Sequence, residues 1–236
     1  MKKFLLLFLL ISGFCAQSQE ENSTKIYFSQ ALYYHLPKYE AKAKRAYRFN
    51  DYERGSFLFD SLVNNCLRYT FMDNFKFYRL NQKPVHLYDY KKPVYLITYA
   101  SWCVPEKGEI PAINELAEKY RDKVKFVVLF WDKAGTARKL SEEFNKKVSV
   151  VYIDESQNSD PFVIQNLKHS LGLPTCFLIS ENKQIMDIRR SIFLPYNTPQ
   201  KVSYERNYES MEEGISSHLT RASHEKEMAT LLSLEQ

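Results

Sequence analysis

One cysteine of this chain stands where two patterns meet. In Tyr99-Ala100-Ser101-Trp102-Cys103-Val104-Pro105-Glu106-Lys107-Gly108-Glu109-Ile110-Pro111, the apolar run Val94 to Tyr99 leads in and a helical pattern, Ile110 to Tyr120, leads out. The predicted order is strand, sharp turn, helix, with the thiol at the helix start. The first N–H groups of a helix lack internal partners and carry partial positive charge. A thiolate there can have its pKa lowered from about 8.5 to roughly 3.5–7.5. The thiolate is the nucleophilic form of the group, so the spacing points to a reactive thiol. Two carboxylates follow. Glu106 lies one predicted turn from the thiol, and at about 6 Å and an effective dielectric of about 20 its repulsion is nearly 3 kcal/mol before screening. Its sign opposes the helix dipole. Glutamate at a third helical position also suits a capping interaction. Glu109 reads either as a first-turn carboxylate favoured by the dipole or as a partly desolvated acid–base group.

The Trp-Cys-x-Pro at a strand–helix junction resembles the thioredoxin superfamily. Lys-Gly-Glu-Ile-Pro after it is similar to the TlpA-like branch of extracytoplasmic thiol–disulfide oxidoreductases, which reads Trp-Cys-x-Pro-Cys-x-x-Glu-x-Pro. One element departs: Glu106 stands where the second, resolving cysteine belongs. The resemblance implies a thioredoxin-like α/β fold, with a central mixed sheet flanked by helices. It implies that Cys103 forms mixed disulfides, that Trp102 covers the thiol, and that Pro105 belongs to the substrate-binding motif. It also implies that Glu109 handles protons and that Pro111 kinks the helix. Pro174, in Leu171-Gly172-Leu173-Pro174-Thr175, is the implied cis-proline facing Cys103. Leu173 beside it would offer its backbone to an extended substrate, with Thr175 completing this edge. No cofactor is implied.

Other site classes do not match. A peroxiredoxin needs Pro-x-x-x-Thr-x-x-Cys, and Leu96 and Ala100 occupy those positions. Copper chaperones of related fold need two cysteines three residues apart. The five histidines, at 35, 86, 169, 218 and 224, lack metal-ligand spacing. There are six glycines and no phosphate-binding loop among them.

The elements that must position Cys103 occupy most of the chain. Residues 1–18 read as a signal peptide: Lys2 and Lys3, an apolar core from Phe4 to Phe14, and Ala16-Gln17-Ser18 as cleavage site. The core is shorter than the roughly 20 residues of a membrane span. Cys15 would suggest a lipoprotein, but bulky Phe14 precedes it. The sequence therefore predicts an exported protein, periplasmic or secreted, without a lipid anchor or membrane span. Losing Lys2 and Lys3 takes the net charge from +5 to about +3, and no basic stripe for nucleic acid is present.

Residues 19–72 read as a helical extension. Ala41, Ala46, Phe49, Tyr52, Phe57, Leu58 and Leu62 predict two short helices around the N-cap pair Asn50-Asp51. The unit is similar to one tetratricopeptide repeat, but a single copy does not stack, so it should pack on the main domain. That domain is expected over residues 73–222. Strands are predicted at Phe75–Leu80, Val85–Tyr88, Val94–Tyr99, Val124–Trp131 and Val148–Ile153, with a closing hairpin of Thr175–Ser180 and Gln184–Arg189. Helices are predicted at Ala134–Asn145, Pro161–Leu171 and Tyr208–Ala222. Their alternation predicts parallel β-α-β units. Residues 223–236 are expected to form a loose tail.

Three functions fit these residues. The first is monothiol exchange through Cys103 with protein or small-molecule thiols and disulfides. The second is a binding module on a catalytically degenerate thioredoxin fold. The third recruits Cys176 or Cys66 as resolver. Substrate, electron donor and oligomeric state are not written in the sequence.

Overall fold

Val94 to Tyr99 is apolar at nearly every position, and such a strand is stable only when both of its faces are covered. In the computed structural model this run is strand β3 and every residue of it is buried. The structure describes residues 25–103, 105–157, 161–192, 194–195 and 197–234. The predicted signal peptide lies outside them.

Two helices open the described chain, α1 (Phe28–Arg48) and α2 (Tyr52–Leu62), the second extended by a π-helical turn, Val63–Leu67. Asp51 is the N-cap of α2, accepting from the Arg54 N–H at 2.9 Å, and Asn50 turns the chain with φ +55°. Then come β1 (Lys76–Arg79), β2 (Pro84–His86), β3 (Val94–Tyr99), α3 (Glu109–Lys119), β4 (Lys125–Phe130), α4 (Ala134–Leu140), β5 (Ser149–Tyr152), the short helix α5 (Pro161–Val163, continued as a π-helix Ile164–His169), β6 (Thr175–Ile179), β7 (Ile185–Arg190) and α6 (Gln200–Leu234).

The seven strands form one mixed sheet in the order β2-β1-β5-β4-β3-β6-β7. β3, β4 and β5 are parallel; β1, β6 and β7 enter antiparallel. The expected thioredoxin-like architecture with an N-terminal helical region is therefore what forms. Alternation along β3 divides the core. Val94 and Leu96 face one cluster with Phe28, Leu32 and Phe59 of the N-terminal helices. Tyr95, Ile97 and Tyr99 face the other, with Ile113 and Leu116 of α3 and Ile215 of α6. The N-terminal helices thus share the sheet's core. Arg190 of β7 also lies 4.1 Å over the Phe59 ring and donates to the Tyr39 hydroxyl at 3.0 Å.

Three expectations need correction. The first N-terminal helix is long rather than short, and of the residues that marked the two helices Phe49, Tyr52 and Phe57 are exposed at 71, 66 and 59%. The last helix is not confined to residues 208–222 with a loose tail beyond; it runs from Gln200 to Leu234 as one helix. Pro111 does not kink α3. It sits in the first turn, where the missing N–H has no intrahelical partner to lose.

α6 lies along α3 in the same direction. The Ser203 hydroxyl accepts from the Gly108 N–H at 3.0 Å, Tyr204 donates to Glu115 at 2.5 Å, and Lys119 at the far end pairs with Glu212. At Gly108 the two backbones touch: a Cβ there would sit 1.9 Å from the Tyr204 nitrogen and 2.3 Å from its Cα. No side-chain motion relieves a clash with backbone. Gly108→Ala is therefore expected to lower stability by more than about 3 kcal/mol. Ser203→Ala, which strands a buried N–H, should cost about 1–3 kcal/mol. Urea denaturation of both variants checks the order; equal midpoints for Gly108→Ala and the parent protein would show that α6 does not clamp α3.

Candidate active site

β3 ends at Tyr99, and the chain turns at once. The Cys103 N–H donates to the Ala100 carbonyl at 2.8 Å, closing a turn over residues 100–103. The turn is tied to the next strand: Asp132, just beyond β4, accepts from the Ser101 hydroxyl at 2.5 Å and from its N–H at 2.7 Å. Because β3 and β4 are parallel with Tyr99 beside Phe130, their C-terminal ends deliver both segments to one edge.

The helix does not begin at the cysteine. Gly108 is the N-cap and Glu109 the first residue of α3. Cys103 thus lies five residues before the N-cap, outside the first turn where the dipole acts. The electrostatics follow. Burial pushes the Cys103 thiol pKa up, and the charges of Asp132 and Glu109 push it further; the Ala100 backbone and Lys168 oppose them. The expected lowering by a helix start is reversed. Glu106 is likewise outside the helix and is not the capping third residue. Its Oε1 accepts from the Leu194 N–H at 3.4 Å.

The helix start instead gathers a second carboxylate. Glu109 is 3% exposed. Its Oε1 accepts from the Ser191 hydroxyl at 2.9 Å and its Oε2 from the Glu106 N–H at 3.3 Å. The buried Tyr99 hydroxyl faces the same carboxyl, and burial and the Glu109 charge raise its pKa well above the usual value. Burial is also the main reason the Glu109 pKa is raised; the hydroxyls of Tyr99 and Ser191 and the Glu106 N–H only partly offset it, and the Glu106 charge adds to it. Glu109 is a desolvated carboxyl rather than an exposed first-turn residue.

The Leu173–Pro174 bond is cis. Thr98 pairs with Thr175 across β3 and β6, which sets Pro174 beside the end of β3 and so at the same edge as the Cys103 turn. The Thr98 hydroxyl donates to the Thr175 carbonyl at 3.1 Å, and the Thr175 hydroxyl to the Gly172 carbonyl at 2.8 Å. Thr175 is buried, while Leu173, Pro174 and Pro105 are half-buried at this edge. Trp102 is 68% exposed, so it projects outward rather than covering the thiol.

All three described cysteines are free. Cys176 packs in the core cluster on the α3 side, and burial together with the Glu109 charge pushes its pKa up to about 12. Cys66 lies in the π turn after α2, against the opposite core cluster. Among the described residues no group of His, Cys, Asp and Glu could hold a metal ion. The peroxiredoxin positions, Leu96 and Ala100, are both buried.

Sequence reading missed Asp132, Ser191 and Ser203. Asp132 had a signal: it follows the longest strand, parallel to the one before Cys103, and sites gather at carboxyl ends of such strands. Ser191 and Ser203 had none, since each acts across more than 80 residues.

The AhpC/TSA family matches residues 70–188. The chain is 32% identical over 116 residues to the thiol-disulfide oxidoreductase ResA of Bacillus thuringiensis subsp. konkukian, and 33% identical over 118 residues to that of Bacillus anthracis. Each alignment spans 48% of this chain and 64% of the relative. Among solved structures, a putative thiol:disulfide interchange protein DsbE from Chlorobium tepidum is 24% identical, with a TM-score of 0.47, over 64% of this chain and 94% of that one.

Two outcomes are expected. Glu109 has a raised pKa in the fold, so its contribution to stability is present below its unfolded pKa and is lost as pH rises through the folded one. Glu109→Gln removes that loss, so its melting temperature relative to the parent protein should climb as pH rises from about 4 through the raised folded-state pKa; a constant difference would show that Glu109 is not desolvated. Asp132→Asn should shift the pH profile of Cys103 alkylation to lower pH, read by mass spectrometry against Cys66 as internal reference; an unmoved profile would deny Asp132 its electrostatic role.

Proposed function

The chain belongs to the AhpC/TSA family, and from that premise we propose that it is an exported thiol–disulfide exchange protein working through the single thiol of Cys103. The observation that carries this reading is the contrast among its thiols. Cys103 is half-buried, lines an open cleft and stands at the sheet edge that carries the cis Leu173–Pro174 bond; Cys176 is closed in the core with a pKa of about 12, and Cys66, half-buried as well, lies in the π turn after α2, away from that edge.

The exchange begins when the Cys103 thiolate attacks one sulfur of a disulfide. A Cys103–sulfur bond forms, the old bond breaks, and the second sulfur leaves as a thiolate. With Glu106 in place of a resolving cysteine, an external thiol must attack the mixed disulfide to release it. Glu109, whose charge acts on the thiol, is the proton-handling group: its raised pKa brings the carboxyl nearer to working pH, as acid–base catalysis requires. Trp102, Pro105, Leu173 and Pro174 form the edge on which a protein or small-molecule partner rests; Thr175, expected there too, is fully buried and serves to hold Gly172 through its hydroxyl. Export rests on residues 1–18; among the described residues no helix is long and apolar enough to cross a membrane.

A second reading, partner binding without exchange, is favoured by one observation: Cys103 lies five residues before the N-cap of α3, where no helix donors stabilise a thiolate, and burial pushes its pKa up. Incubation with the uncharged disulfide of 2-mercaptoethanol followed by peptide mapping separates the two. Exchange predicts a mercaptoethanol adduct on Cys103 that dithiothreitol removes and that Cys103→Ser lacks. A Cys103 that stays unmodified while Cys103→Ser binds the same partners would leave only the binding reading.

A further inference from the structure

Cys103 lines a cleft of about 620 Å³, within the range of pockets that enclose small ligands. Its apolar walls are Ile110 and Pro111 of α3, Phe130 at the end of β4, and Leu140 and Phe144 beyond the Cys103 turn. The far wall is fixed in place. Asn114 of α3 donates to the Glu143 carbonyl at 2.9 Å and accepts from the Asn145 N–H at 2.7 Å, while the Asn145 amide donates back to the Asn114 carbonyl at 2.6 Å. Phe144 also packs edge-on against Phe130, with ring centroids 6.2 Å apart. The cleft is thus built before any ligand arrives.

Its charges are unbalanced. Glu106 and Glu143 line it against the single lining cation Lys107, and at the thiol the charges of Asp132 and Glu109 outnumber that of Lys168, which is itself paired with Glu155. An anionic group entering here meets repulsion at short range. We infer that this cleft receives the group carried on the sulfur of a disulfide substrate, and that it selects an uncharged apolar group, aromatic or branched aliphatic, over an anionic carrier such as glutathione. The inference rests on the exchange reading and specifies its substrate class. When Cys103 Sγ bonds to the incoming sulfur and the other sulfur departs as a thiolate, the carried group remains tethered at the cleft mouth. No thiol occupies position 106 to expel it, so contact with Phe144 and Leu140 prolongs the adduct. The same apolar group could come from a small molecule or from a residue flanking a partner's cysteine.

The test compares methanethiosulfonate reagents carrying benzyl, trimethylammonioethyl and sulfonatoethyl groups. Each transfers its thio group to Cys103 and releases methanesulfinate. The Cys103 rate with each is divided by that of N-acetylcysteine amide, so intrinsic reagent reactivity cancels. The normalised benzyl rate is expected to exceed the sulfonatoethyl rate at least tenfold and to exceed the trimethylammonioethyl rate clearly. Phe144→Ala and, as a second variant against misfolding of the first, Leu140→Ala should bring the benzyl-to-trimethylammonioethyl ratio toward one. Glu143→Gln should raise the normalised sulfonatoethyl rate. Equal benzyl and trimethylammonioethyl rates, or a benzyl preference that survives both wall variants, would overturn the selectivity while leaving exchange intact. A Cys103 silent to every reagent would overturn both. In a parallel arm, disulfides of acetyl-Phe-Cys-amide and acetyl-Gly-Cys-amide identify the source: a Phe preference indicates a partner chain, and a preference confined to benzyl indicates a small molecule.

Discussion

The contact between Gly108 and the backbone of Ser203 and Tyr204 fixes the geometry of the site. It allows no side chain at position 108, and it gives the Gly108 N–H a hydroxyl partner from α6. The N-terminus of α3 is therefore covered by another element, and the helix starts at Glu109. The absence of helix donors around the thiol follows from that starting point. A cysteine in the first turn would feel the unpaired donors of the helix. Cys103 instead sits in a turn closed on Ala100, among the negative charges of Asp132 and Glu109.

The same arrangement explains why Glu109 is buried. Its carboxyl is held between the Ser191 hydroxyl and the Glu106 N–H, under the segment that joins β7 to α6. Charge near the thiol is thus supplied by residues from three regions: the loop after β4, the start of α3 and, through Lys168, the π-helical turn after α5. Glu106 lines the same cleft, and burial with the charges of Asp132 and Glu109 pushes the thiol's pKa up. Such a thiol reacts more slowly near neutral pH but is a stronger nucleophile once ionised.

Much of the fold was legible because it rests on local pattern. β3 has the predicted limits, Val94 to Tyr99, since a run of apolar residues that short and that continuous has few alternatives. Asp51 caps α2 because an aspartate before a helical pattern is stable there in almost any context. The closing hairpin came within a residue of its predicted ends, its turn marked by Glu181-Asn182-Lys183. The length of the first N-terminal helix was misread, and Phe49, Tyr52 and Phe57 face outward although apolar in type; periodicity reports residue type, not what lies opposite. The site followed the same division. Cys103, Glu109 and Pro174 were found from their neighbours in sequence, whereas Asp132, Ser191 and Ser203 reach the site only through the sheet and α6.

The sequence by itself determined that a strand, a turn bearing one thiol and a helix follow one another, that Glu106 leaves that thiol without a neighbouring partner, and that a mixed sheet of thioredoxin type surrounds it. Those features depend on residue type and short spacing. Tertiary structure alone decided where the helix begins, which carboxylates act on Cys103, that Cys176 is shut in the core, and that a walled cleft opens beside the thiol. Each of these depends on which distant segment packs against which. Gly108 can be read as a glycine from the sequence, but only the backbone of α6 against it shows why no other residue fits.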